Sequence, residues 1–187
     1  YYVSREYRKL LNLIKDSSQN FDTKKIKSIL LFINNACKRK KQIQDETLLV
    51  QSLQIAQIVV SEIGLDEKSA LCALLYKFAE NDTITIIEIK KEIDEKVAQM
   101  TEELIKINSI ETQEIRSQAD SFRKLLLTIT SDIRIILIKI AERLYVMRNL
   151  ENEDQSTQNK ISHEVFHLYA PLGHRLGLYS LKTELED

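Results

Sequence analysis

An all-helical fold, a compact multi-helix bundle, follows from three observations on the 187-residue sequence. Glycine occurs three times and proline once, too few for many tight turns. Leu, Ile, Lys and Glu are frequent, and all but Ile are strong helix formers. Apolar residues also recur at three- and four-residue steps in segment after segment, where a half-buried strand would alternate. Isoleucine content alone would admit strands; the spacing does not. The apolar share of 43% and charged share of 29% suit a globular protein, and the length supports one sizeable core or two loosely separated helical lobes.

The first 17 residues read as a flanking helix, with Tyr7, Leu10, Leu11 and Ile14 on one face and the polar run from Ser17 to Asn20 ending it. Asp22 or Thr23 can cap the next helix, whose buried face is Ile26, Ile29, Leu30 and Ile33. Residues 47–63 place Leu49, Leu53, Ala56 and Val60 together, with Gly64 as C-cap. Asp66 then caps a helix through Ala79 that buries Ala70, Ala73, Leu74 and Phe78. Asn81 and Asp82 interrupt the chain. Thr85 and Glu88 have capping-box spacing and start a short helix to Ile93. Residues 96–107 form another helix, and 109–117, the least periodic internal segment, a connector or a loop beside a site.

Residues 122–150, FRKLLLTITSDIRIILIKIAERLYVMRNL, organise the chain as a central helical pair, 122–129 and 132–150. Asp132 caps the second member, on which Ile133, Ile136, Leu137, Ile140, Leu144 and Met147 share a face. Ile135, Ile138, Ala141 and Tyr145 widen that face, as expected of a helix sunk among others. Arg134, Lys139, Arg143 and Arg148 take the remaining side. Glu142 lies at the border, where periodicity alone makes it a solvated carboxylate. Residues 151–159 read as a polar loop, and a last helix begins near Ile161, bent or terminated by Pro171 and Gly173.

The formal net charge of −1 gives no global basic field, so direct nucleic-acid binding is not expected. The run Lys38-Arg39-Lys40-Lys41 reads as a solvated helix end complementing the dipole, with a phosphate contact as the alternative. Cys37 and Cys72 fit two reduced core thiols, and no membrane segment is evident; a cytoplasmic protein is expected.

His163-Glu164-Val165-Phe166-His167 satisfies H-E-x-x-H, a zinc-peptidase pattern in which the two imidazoles bind metal and the glutamate activates water. Glu184 or Glu186 would supply a third ligand, but Pro171 and Gly173 intervene. A helix packed through Val165, Phe166 and Leu168 explains the same residues without metal. Phosphate-cradling glycine loops, paired-cysteine clusters and serine nucleophile elbows do not occur. All three histidines lie at or beyond residue 163, so the central helices hold none for a helical metallohydrolase.

The order of segments resembles the N-terminal HD-type hydrolase domain of the long RelA/SpoT alarmone enzymes. RKLLL, DIRIILIKIAERL and MRNL within 122–150 carry most of the likeness. Tyr169-Ala170-Pro171-Leu172, Arg175-Leu176-Gly177 and Glu184-Leu185-Glu186-Asp187 continue it. Ala73-Leu74-Leu75 with Glu80, and Leu53 with Ala56, extend it backward, so that roughly residues 18–187 are covered.

The resemblance implies a divalent-metal site, usually manganese, that removes the 3′-pyrophosphate of guanosine tetra- or pentaphosphate. It also implies that this chain has lost the ligands. Gln51 stands at the first metal histidine, Tyr76 at the second, Lys77 at the aspartate of the HD pair and Glu142 at the later aspartate. Glu80 matches the family, whereas Asn81 replaces the neighbouring carboxylate. Tyr145 and Val146 replace a histidine and an asparagine, and Gln42 an arginine near the guanine. Glutamine is a poor substitute for imidazole, a tyrosine ligand needs deprotonation, and a lysine ammonium opposes metal entry. Ionic pairing of Lys77 with Glu142 is expected instead.

The implied protein is a stringent-response alarmone synthetase, a GTP pyrophosphokinase, in which residues 1–187 form a catalytically inactive HD domain without cofactor. Its partners would be the synthetase and regulatory domains of the same protein, which are absent from these residues, with a guanine nucleotide as a candidate ligand. Three alternatives stand beside this expectation: a non-hydrolytic guanine-nucleotide-binding module, a residual manganese-dependent hydrolase, and the zinc peptidase at His163 and His167.

Overall fold

Helices account for every regular element in the computed structural model, which describes residues 2–17, 21–40, 46–114 and 131–186. The chain divides into two compact units, Tyr1–Ile105 and Lys106–Asp187.

In the first unit, α1 (Tyr2–Asp16) buries Glu6, Leu10 and Ile14 at four-residue steps, with Val3, Tyr7, Leu11 and Leu13 half-buried beside them. Helix α2 (Thr23–Arg39) is capped by Asp22, which accepts the Lys24 N–H at 2.9 Å, and buries Ile26, Ile29, Ile33, Ala36 and Cys37. Helix α3 (Glu46–Ser61) is covered on nearly every side, with nine of its sixteen residues buried. After it, Gly64 takes the left-handed φ of +77° that turns the chain, and the Leu65 N–H returns to the Val59 carbonyl at 2.9 Å. Helix α4 (Glu67–Glu80) starts at Asp66, whose carboxylate accepts the Ser69 N–H at 3.2 Å and hydroxyl at 2.6 Å, and all residues from Ser69 to Tyr76 are buried. Helix α3 packs against both α1 and α4, and α2 lies on α4.

The capping box forms as expected: the Glu88 N–H donates to Thr85 Oγ1 at 3.2 Å and the Thr85 N–H to Glu88 Oε2 at 2.9 Å, opening α5 (Ile86–Glu92). Arg39 of the basic run reaches Glu88 at 2.8 Å, joining the end of α2 to α5. Helix α6 (Glu95–Glu114) follows Asp94 and runs past the boundary between the units. It overturns the connector expected at 109–117 as far as Glu114. Fading apolar periodicity had marked an end there, but no glycine or proline stops the helix, and the Ser109 hydroxyl bonds back to the Lys106 carbonyl at 2.8 Å.

The second unit is built on α7 (Ile133–Arg148), capped by Asp132, which accepts the Arg134 N–H at 3.1 Å. Ile136, Ile140 and Leu144 are buried as expected, joined by Ile135, Ile138 and Ala141. Ile133 is 47% exposed, and Lys139, assigned by its charge to the outer side, is buried. Its expected companion helix at 122–129 lies outside the described residues. A 3₁₀ turn (Leu150–Asn152) leads to α8 (Gln155–Glu164), where Asp154 accepts the N–H groups of Ser156 and Thr157 at 2.9 and 3.1 Å. The polar loop expected at 151–159 is therefore largely helical; the cap starts a helix whose first turns face solvent and so carry no apolar stripe.

Pro171 does not end the helical path. A π-helical turn (Val165–Tyr169) widens the backbone just before it, and α9 (Ala170–Arg175) continues with proline in its first turn. The wider turn accommodates the missing N–H and the ring's clash with the preceding turn. The path stops at Gly177, φ +76°: the Leu178 N–H bonds to Gly173 and the Gly177 N–H to His174, a Schellman closure. In α10 (Tyr179–Glu186), Glu184 takes both Nε and Nη2 of Arg148 at 2.6 and 2.9 Å, clasping this last helix to the end of α7.

Ile140 and Leu144 are both wholly buried, so replacing either with Ala should cost about 2–5 kcal/mol in urea unfolding. A pH effect follows from Asp94. Burial pushes its carboxyl up, but the Val97 N–H at 3.0 Å and the Lys68 ammonium at 3.1 Å outweigh this and hold it below the usual aspartate range. Because the folded carboxyl titrates below the unfolded one, its stabilisation is complete above the ordinary aspartate range and is lost as pH falls through the depressed value. Asp94→Ala should cost about 1 kcal/mol near neutrality, and unfolding curves at successively lower pH should show the deficit closing.

Candidate functional site

Within the first unit, α4 sets Tyr76 and Lys77 side by side near its C-terminal end. Tyr76 is among the largest wholly buried side chains, packed into the face that α4 turns to its neighbours. Lys77, one position on, emerges half-buried. Its ammonium lies 5.0 Å from the Tyr76 ring centroid and 3.1 Å from Glu80 Oε2, one turn away. Asn81 caps the helix, and its side-chain oxygen accepts the Thr83 N–H at 3.1 Å and hydroxyl at 2.6 Å, which shapes the turn through Asp82 at φ +60°. Gln51 sits half-buried on α3. Gln42 lies outside the described residues.

Within the second unit, Glu142 is not the solvated carboxylate that periodicity suggests: it is 4% exposed, and Lys139 beside it 3%. The Lys139 ammonium donates to Glu142 Oε2 at 2.7 Å and to Asn108 Oδ1 at 2.6 Å. This buried trio was not foreseen; the three-residue interval between lysine and glutamate was its only trace in the sequence. Lys77 and Glu142, expected to pair with each other, thus each have an ion partner within their own unit. Tyr145 and Val146, two and three residues beyond Arg143, are half-buried, and the Tyr145 carbonyl accepts the Asn149 amide at 2.8 Å.

The H-E-x-x-H residues divide. His163 and His167 are exposed with ring centroids 4.3 Å apart, but Glu164 is buried and lies 2.7 Å from Arg143 Nη2. The glutamate therefore faces the interior arginine, away from where a metal-bound water between the imidazoles would need its base. His174 is exposed, edge-on to Tyr179. Among the described residues, no cluster of three or more His, Cys, Asp and Glu side chains has the arrangement of a metal site.

Chemically, α4 offers a neutral phenol sealed in the interior and an ammonium already paired with a carboxylate. Glu80 is exposed and can meet a cation, but it provides one carboxylate where a catalytic metal takes about three protein ligands.

An all-helical bundle with this helix order defines the class: residues 30–179 match the HD domain family, and the chain belongs to it. Its relatives are SpoT/RelA-type (p)ppGpp hydrolase and synthetase proteins. The chain is 36% identical, over 79% of its length, to a guanosine-3′,5′-bis(diphosphate) 3′-pyrophosphohydrolase of Aquifex aeolicus. It is 28% identical over 97% of its length to the bifunctional (p)ppGpp synthase/hydrolase SpoT of Escherichia coli, and 36% identical over 76% to a GTP pyrophosphokinase of Myxococcus xanthus. The matched region spans 21%, 26% and 19% of these three proteins. Among the described residues, no helix is long and apolar enough to cross a membrane.

The buried ion pair gives a direct test. Lys139→Met, which removes the ammonium from beside a buried carboxylate, should cost about 3–5 kcal/mol in denaturant unfolding. The double replacement Lys139→Met with Glu142→Leu should recover much of that loss.

Proposed function

We propose that this HD domain no longer hydrolyses guanosine tetraphosphate and serves as a packing and regulatory element for a (p)ppGpp synthetase domain of the same protein. The carrying observation is the Tyr76–Lys77 pair. At the two successive α4 positions where the family resemblance places a metal-binding histidine and aspartate, this chain has a fully buried phenol and an ion-paired ammonium. The phenol would have to lose its proton in an apolar interior to serve as an anionic ligand, and the ammonium would repel the incoming cation. Gln51 and Glu142 complete the changed set, and neither restores an imidazole. Gln42, Glu80, Asn81, Tyr145 and Val146 are the further positions to which the family resemblance assigns nucleotide-pocket residues.

The regulatory half of the reading is supported by the relatives, whose names include both hydrolase and synthetase activities and whose lengths leave room for further domains. The buried thiols Cys37 and Cys72 fit a reducing, cytoplasmic setting.

Incubating the purified protein with guanosine tetraphosphate and manganese should release no pyrophosphate above the protein-free rate. Manganese-dependent release that disappears on Glu142→Gln would overturn the inactive reading and assign a working centre to Glu142. Binding of the nucleotide without turnover would leave the loss of hydrolysis standing and make the domain a nucleotide sensor.

A further inference from the structure

We propose that the outer face of α1 is a binding groove for a diphosphate-bearing anion, separate from the residues discussed above. Among the described residues, Ser4, Arg5, Arg8, Lys9 and Asn12 line a cavity of about 350 Å³. Ser4, Arg8 and Asn12 follow one another at four-residue steps, and Arg5 and Lys9 make a second row beside them, so all five share one side of the helix. Every one of them offers a hydrogen-bond donor, three carry positive charge, and none is a carboxylate.

The acid within this stretch, Glu6, is turned inward and wholly buried. Its carboxylate accepts from the Gln57 amide at 3.1 Å, Arg5 Nε at 3.0 Å and Lys9 Nζ at 3.2 Å. Burial pushes the Glu6 carboxyl up, and the hydrogen bonds from Gln57, Lys9 and Arg5 outweigh it and keep it charged. Glu6 therefore acts as an internal anchor for two cations of the groove. Arg5 is held a second time by its stacking over the Tyr2 ring, 4.3 Å from the centroid. With Nε committed to Glu6, the two Nη groups are the rest of its fork, the part that meets phosphate oxygens. Arg8 is exposed and stands outside the Glu6 cluster.

Positions three and four apart on a helix lie roughly 5–6 Å from each other. Three cations so spaced, less the one anchoring carboxylate, match two adjoining phosphoryl groups better than a single carboxylate ligand. Anchoring before any ligand arrives lowers the ordering cost of binding. The diphosphate could be free pyrophosphate or part of a nucleoside diphosphate, and the test separates these sources.

The ¹⁵N-labelled 187-residue chain is titrated with sodium pyrophosphate and, separately, with GDP while backbone amide signals are followed. Pyrophosphate should shift the amides of residues 4–12 with an affinity that weakens as salt is raised. Arg8→Glu should reduce that affinity roughly tenfold or more, with an unchanged unfolding temperature because Arg8 is exposed; Arg8→Gln, the milder variant, should give a smaller loss. Tighter binding of GDP would identify a nucleotide as the ligand, and equal binding would show that the phosphates alone are recognised; both support the groove. Absence of shifts on α1 with either anion, or α1 shifts that survive Arg8→Glu, would overturn it. So would shifts confined to the neighbourhood of Lys77. The outcome is independent of whether guanosine tetraphosphate is hydrolysed.

Discussion

Burial of α3 and α4 on almost every side is the constraint from which the first unit follows. A helix with no exposed face must satisfy its polar groups internally, since water is not there to do it. Nine residues of α3 and an unbroken buried run from Ser69 to Tyr76 on α4 leave little room for charge. Ser69 of α4 meets this demand by donating to Asp66 at 2.6 Å, and the Cys72 sulfur of α4 accepts from Thr101 of α6 at 3.6 Å, whereas the Ser52 hydroxyl of α3 is buried without a hydrogen-bond partner among the described residues. The same demand governs position 76. A residue there must bring volume without charge, and a tyrosine does so. Lys77, one position around the helix, escapes the constraint by reaching Glu80.

In the second unit the corresponding problem is solved by pairing. α7 carries Lys139 and Glu142 into the interior together, three residues apart, and Asn108 of α6 accepts from the same ammonium. Desolvating two charges is costly, and close contact with additional hydrogen bonds is what makes it tolerable. Arg143 and Glu164 repeat the arrangement between α7 and α8 at 2.7 Å, with the guanidinium 5.3 Å from the Tyr169 ring centroid. These pairs fix which face of α7 is inward, and they explain why that face is wider than its apolar residues alone imply.

Local chemistry was legible in the sequence where it was self-contained. Asp22, Asp66 and Asp132 cap the helices assigned to them, and the Thr85–Glu88 box closes both ways, because each device needs only residues within one turn. Apolar spacing likewise located Ile136, Ile140 and Leu144 in the core. Periodicity failed where a helix lies in solvent or buries its charges. Residues 155–159 read as loop because a solvated helix has no apolar stripe, and Lys139 was assigned outward because its burial depends on a partner 31 positions away in the chain. Charge type gave no clue. The family resemblance pointed to the replaced site positions, and the buried state of Tyr76 and Glu142 required coordinates, since no spacing rule distinguishes a sealed phenol from a half-exposed one.

A domain built around a metal draws stability from it, so loss of the ion leaves its ligands without their partner. If the proposed loss of the HD metal is correct, the replacing residues must stand alone, and the geometry meets that condition position by position. Tyr76 fills interior volume. Lys77 pairs with Glu80 at 3.1 Å, Asn81 closes the turn to Thr83 at 3.1 Å, and Glu142 is held by Lys139 at 2.7 Å. Each partner lies within three residues of the group it serves. None of these contacts requires an ion. In that reading the self-sufficiency is what a domain retained for packing and regulation would need: its helices would keep their arrangement whatever the metal supply, and a restraint on a neighbouring synthetase domain would not vary with manganese.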